Sequence, residues 1–168
     1  MAETRWLDDD EQEAWRAFLK ATHLLDSALD RQLRHASGLS HANYQILAML
    51  SEAPGRELTM TQLARLLRSS QSRLSHAAAR LEADGKIRRY KRPDNRRTTI
   101  VEILPAGVEA LEAAAPGHVL EVRRVLFDTL SREQIGQLRE ISESMLSVLD
   151  PLGEEPRYSD SSGIQPQD

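Results

Sequence analysis

Residues 59–85 read TMTQLARLLRSSQSRLSHAAARLEADG, and this stretch decides the fold. Thr59 and Gln62 have the spacing of a capping box, in which an N-cap hydroxyl and an N3 side chain satisfy each other's backbone donors. Leu63, Ala64, Leu66 and Leu67 then supply the apolar side of a short helix. A polar turn around Arg68-Ser69-Ser70 leads into a second helix, predicted to run to about Asp84 with Leu74, Ala77, Ala78 and Leu81 inward. Gly85 falls where a left-handed residue closes such a helix.

Downstream, residues 86–92 and 97–104 read as two strands joined by Arg92-Pro93-Asp94-Asn95-Arg96, where Pro and Asp/Asn supply the turn chemistry. Val101 and Ile103 alternate with Glu102, as in a half-buried ribbon. Pro105 suits the first position of a helix over 106–129, which Pro116-Gly117 should kink or interrupt. Ser131 and Gln134 repeat the capping signal before a last helix striped by Ile135, Leu138, Ile141, Met145 and Leu149. Asp150-Pro151 closes it. Residues 152–168, rich in Gly, Pro, Ser and acids, read as a disordered tail.

Upstream, residues 8–35 predict a long helix, with Asp8, Asp9 and Asp10 favouring its positive end. Trp15, Phe18, Thr22, Leu25, Leu29 and Leu33 form its stripe, and Gly38 ends it. Ser40 can cap a helix over 41–52, broken by Ala53-Pro54-Gly55. Leu and Ala dominate the apolar residues, and aromatics are only 4%. The expected class is therefore mainly α, a winged helix-turn-helix with long N- and C-terminal helices and a two-stranded β-wing.

Charge supports a nucleic-acid partner once it is resolved along the chain. The whole carries −4, yet residues 62–97 hold eleven Lys and Arg against three Asp and Glu. A compact basic block in an acidic protein is an electrostatic footprint. In a helix-turn-helix the second helix enters the major groove with its N-terminal part. Helical spacing turns Ser72, Arg73, His76 and Arg80 away from the core, with Ser70 and Gln71 at the helix start. Arg can bond two guanine acceptors and Gln can pair with adenine, so this arc suits base readout. Arg96 and Arg97 project from the ribbon tip, where a minor groove concentrates negative potential. Arg88, Arg89, Lys91 and Arg92 are expected to track phosphates.

Other chemistry is set aside. No apolar run reaches the roughly 18 residues of a membrane span, and the acidic start lacks a signal peptide's basic region. A soluble cytoplasmic protein is expected. Without cysteine there is no disulfide, thiolate nucleophile or thiol-based redox sensor. The five histidines show no zinc-binding spacing, no phosphate loop or nucleophile elbow appears, and so neither an enzyme, a metal nor a cofactor is expected.

The sequence resembles the MarR (multiple antibiotic resistance regulator) family. The resemblance rests on Leu63-Ala64 with Leu66-Leu67, Ser72-Arg73-Leu74-Ser75-His76, Arg80-Leu81-Glu82 with Gly85, and the wing's Asp94-Asn95-Arg96 followed by Val101, Ile103 and Gly107. It departs at His76, where many relatives carry Arg, and at Leu104, where a Thr often caps the next helix. The resemblance implies a homodimer built from the first and last two helices, and a repressor of palindromic operators. It also implies that Asp94 orients the wing, that Arg96 enters the minor groove, and that a small aromatic or anionic effector acts. Residues 8–35 and 106–149 would be the dimerisation helices, and 40–104 the DNA-binding domain. Trp15, His41, Tyr44 and Arg65 could line an effector cleft but read first as packing or surface residues, so no effector site is assigned. Independently of family, the stripes over 15–33 and 135–149 exceed what a small winged domain covers, which also points to a dimer. Two rivals stand beside a sequence-specific regulator: an architectural DNA-binding protein and a winged-helix protein-interaction module.

Overall fold

The computed structural model describes residues 4–92 and 95–150. Asp94 and the tail over 152–168 lie outside the described residues. The chain divides into two compact units after Thr129.

In the first unit, α1 spans Asp9–Ser37 and begins with a capping box between Asp8 and Glu11. Gly38 ends it in the left-handed region, at φ 71°. Helix α2, His41–Glu52, is capped by Ser40, whose hydroxyl accepts from the Asn43 N–H at 3.1 Å. A single 3-10 turn over Pro54–Arg56 leads to a short strand β1, Glu57–Thr59. Helix α3, Met60–Leu66, starts on the Thr59–Gln62 box, closed by bonds of 2.9 and 3.0 Å. Arg68 turns left-handed at φ 48°, and α4 follows over Gln71–Ala83 with Ser70 as N-cap. Strands β2, Ile87–Arg92, and β3, Asn95–Ile103, form the wing, and α5 runs Pro105–Val125.

The structure adds one element and alters one expectation. First, the two-stranded wing of β2 and β3 is extended by β1 into a sheet of order β1-β3-β2, all antiparallel. Strand β1 escaped notice because three residues directly before a helix cap carry too little alternation. Its Leu58 pairs with Val101, which pairs on its other side with Arg89. Second, α5 is continuous through Pro116. Pro116 and Glu112, whose carbonyl loses its helical donor to the proline, are both exposed residues. Packing of α5 along α1 holds the helix together against the local propensity.

Leu33, Ile46, Leu47, Leu50, Leu63, Leu74, Leu81, Ile87 and Val101 are the largest wholly buried side chains. They come from α1 to α4 and the sheet, so one core fixes α4 against both its helical neighbours and the wing. The second unit contains α6, Arg132–Leu149, with the Ser131–Gln134 capping box in place. None of its residues is buried. No helix among the described residues is long and apolar enough to cross a membrane.

Candidate nucleic-acid interface

Helix α4 is sharply two-sided. Leu74, Ala77, Ala78 and Leu81 are buried, and Ser70, Gln71, Ser72, Arg73, His76 and Arg80 are all exposed. The apolar set at three- and four-residue steps dictates this, because burying one side leaves the polar arc outward. The Ser70 hydroxyl accepts from the Arg73 N–H at 3.3 Å, anchoring the first turn from which Gln71 and Arg73 project. In the wing, Lys91, Arg96 and Arg97 are exposed, with a register irregularity at Lys91/Arg92.

The remaining wing arginines carry carboxylate partners within the chain. Arg89 is gripped by Glu82 of α4: its Nε and Nη2 donate to one carboxylate oxygen at 2.9 and 2.6 Å, and its backbone N–H to the other at 2.8 Å. Arg88 donates to Glu102 on the neighbouring strand, at 3.0 Å from Nε, and its guanidinium lies 5.3 Å from the Tyr90 ring centre. Arg92 and the Tyr90 hydroxyl both donate to Glu57 of β1. Arg89 is thus half-buried and committed to a carboxylate, not held out toward a phosphate. Arg88 and Arg92 carry partners of their own on the open face of the sheet. Glu57, Glu82 and Glu102 partner these arginines, with Tyr90 sharing Glu57, pairings that sequence reasoning did not single out. Only the Arg88–Glu102 pair had a readable signal, as opposite charges across a hairpin, and it needs the register to be known.

At the junction of α1, α2 and α5, the rings of Tyr44 and His118 lie 4.4 Å apart and those of His41 and His118 5.8 Å. His41 Nδ1 meets Asp26 at 2.8 Å. His118 Nδ1 is buried and has no hydrogen-bond partner among the described residues. Burial, and secondarily the neighbouring His41, push the His118 pKa down from its ordinary 6.5. The hydrogen bond from Arg89 holds the Glu82 carboxyl below its ordinary 4.5, and those from Tyr90 and then Arg92 do the same for Glu57.

The signs agree. The unfolded chain protonates His118 more readily than the folded one, so stability falls as pH drops below about 6.5. The two glutamates stabilise the fold above about pH 4.5, and that contribution is lost on further acidification. Urea unfolding followed from pH 8 to pH 3 should therefore weaken in two stages. His118→Gln should abolish the upper one; an unchanged upper stage in that variant would refute the assignment.

A helix-turn-helix with an exposed polar arc on its second helix, followed by a β-wing in a three-stranded sheet, defines a winged helix-turn-helix protein. A profile of the MarR family matches residues 37–98. The structure is similar to that of Sco3205, a MarR family transcriptional regulator from Streptomyces coelicolor solved in complex with DNA. That likeness has a TM-score of 0.84 and 43% identity, over 89% of this chain and 93% of that one. It is also similar to AbsC, a MarR family transcriptional regulator from the same organism, with a TM-score of 0.80 and 36% identity over 87% and 98% of the two chains. Among curated proteins, the HTH-type transcriptional repressor YetL of Bacillus subtilis (strain 168) is 27% identical over 89 residues, so the match spans about half of either chain. The chain belongs to the MarR family, whose members here are transcriptional regulators and not enzymes.

Proposed function

We propose that this chain is a cytoplasmic, homodimeric repressor that binds palindromic DNA sequence-specifically and is released by a small aromatic or anionic effector. The observation that carries the reading is the two-sided α4, whose outward arc is mixed and polar instead of uniformly basic. Ser70, Gln71, Ser72, Arg73, His76 and Arg80 read the major groove. Arg96 enters the minor groove from a tip oriented by Asp94, while Arg97 and Lys91 meet phosphates. Capture of the Sco3205 relative on DNA and the repressor name of YetL support it. Two-fold symmetry sets half-sites about 10 base pairs apart, centre to centre.

Selection of duplexes from randomised DNA, followed by gel shift, tests the reading. A palindromic consensus is expected. Equal affinity for selected and random duplexes would point to an architectural protein, and no binding at low salt to a protein-interaction module.

The dimer rests on apolar exposure within one chain. Trp15 and Phe18 of α1 are 52% and 42% exposed, and Ile141, Val148 and Leu149 of α6 are 58%, 77% and 74% exposed. An 18-residue helix with nothing buried is marginal in water, so α6 needs a covering surface. Residues 8–35 and 106–149 supply the dimerisation helices and 40–104 the DNA-binding domain. Ile141→Lys with Leu149→Lys should give a monomer in sedimentation and cut affinity for the full palindrome by about tenfold or more, since half-sites then bind independently. A variant that stays dimeric would remove α6 from the interface. For the effector, the cluster of His41, Tyr44 and His118 is the supporting feature: it joins aromatic faces to a buried nitrogen left to be satisfied.

A further inference from the structure

We propose that Glu82 is a positioning residue for DNA recognition, clamping β2 to the last turn of α4 so that recognition helix and wing meet one duplex as a single unit. This rests on the DNA-binding reading above. Strand β2 is an edge strand, and alternate N–H groups on it point away from β3. The outward N–H of Arg89 is taken by Glu82, which also holds the Arg89 guanidinium through two further bonds. One carboxylate thus fixes both the backbone and the side chain of a wing residue.

The core seats the base of β2, at Ile87, against Leu81 of α4, and the chain joins the two elements through Asp84-Gly85-Lys86. Gly85 there is left-handed at φ 69°, and the Lys86 N–H donates to the Leu81 carbonyl at 2.9 Å. A glycine joint leaves tilt to be set by side chains. At about 3.3 Å per residue, Arg92 lies roughly 10 Å beyond Arg89 along the strand. A tilt of about 10° displaces that point by nearly 2 Å, far more than a hydrogen bond tolerates. A half-exposed ion pair adds little to stability, so its loss should be felt in recognition, not in folding.

The test measures affinity of the full chain for a duplex selected from randomised DNA. Glu82→Gln should weaken binding about tenfold while shifting the thermal midpoint by only a few degrees. In an Arg96→Ala background the same change should cost only about two- to threefold, because just the phosphate contacts of Lys91 and Arg97 then still depend on wing placement. In an Arg73→Ala background it should still cost about tenfold. Equal losses in all three backgrounds would overturn the proposal, as a general folding defect produces that pattern. If Glu82→Gln fails to fold, Arg89→Met keeps the backbone bond and should show the same dependence on Arg96. A wild-type chain that binds no duplex overturns the DNA-binding reading and the clamp with it.

Discussion

Gly107→Ala is expected to destabilise the fold by about 3 kcal/mol in urea or thermal unfolding. A Cβ at this position would sit 2.2 Å from the Lys86 carbonyl oxygen and 2.8 Å from Ile103 Cγ1. The first of these is backbone and cannot swing aside. It also accepts the Leu104 N–H at 2.9 Å, so retreat would break the bond that carries the chain from the wing into α5. Helix propensity pulls the other way, since Ala is favoured over Gly in a helix by about 1 kcal/mol. The clash wins because it is with rigid atoms. Gly136→Ala in α6 is the matched control: nothing lies within 4 Å of its would-be Cβ, so propensity alone should stabilise by up to about 1 kcal/mol. A neutral or stabilising result at Gly107 would mean that the seam between wing and α5 is looser than described.

The largest functional effect should come from Arg73 and Arg96, two of the arginines proposed to enter the grooves. A well-placed bidentate contact is worth about 1–3 kcal/mol of discrimination. The proposed two-fold dimer carries each residue twice, so Arg73→Ala or Arg96→Ala should cost about 2–6 kcal/mol, roughly 30-fold to 20,000-fold in affinity for the selected palindrome. Binding to random duplex should fall much less, because it loses only one charge per subunit. Fluorescence anisotropy with both duplexes separates the outcomes. Equal losses on both would reduce these arginines to phosphate contacts, and no loss on either would remove them from the interface.

The helices were legible because their signals are local. Ser40, Thr59, Ser70 and Ser131 lie within three residues of the N–H groups they cap, and Gly38 and Gly85 reveal their backbone by residue type alone. The two-sidedness of α4 followed from spacing, and the residues that the period assigned outward are exposed, together with Ser75, Ala79 and Ala83. The wing's charge pairing was not legible. Glu57 lies 33 and 35 residues from Tyr90 and Arg92, and Glu102 lies 14 from Arg88, so chain folding alone brings them together. Glu82 and Arg89 are only seven apart, yet a helix end and a glycine turn separate them, and no periodicity spans that change. The interruption expected at Pro116 failed for the opposite reason: a strong local signal was overridden by packing along α1.

The pairing of wing arginines has a kinetic corollary. Among the described residues, Lys86, Arg88, Arg89 and Arg92, all in the basic block, meet Asp84, Glu102, Glu82 and Glu57 within the chain. Random chromosome attracts a regulator by charge alone, and here part of that attraction is already spent internally. On the DNA-binding reading proposed above, the chain should therefore let go of non-cognate sequence sooner than its composition implies, and stopped-flow release from random duplex measures this.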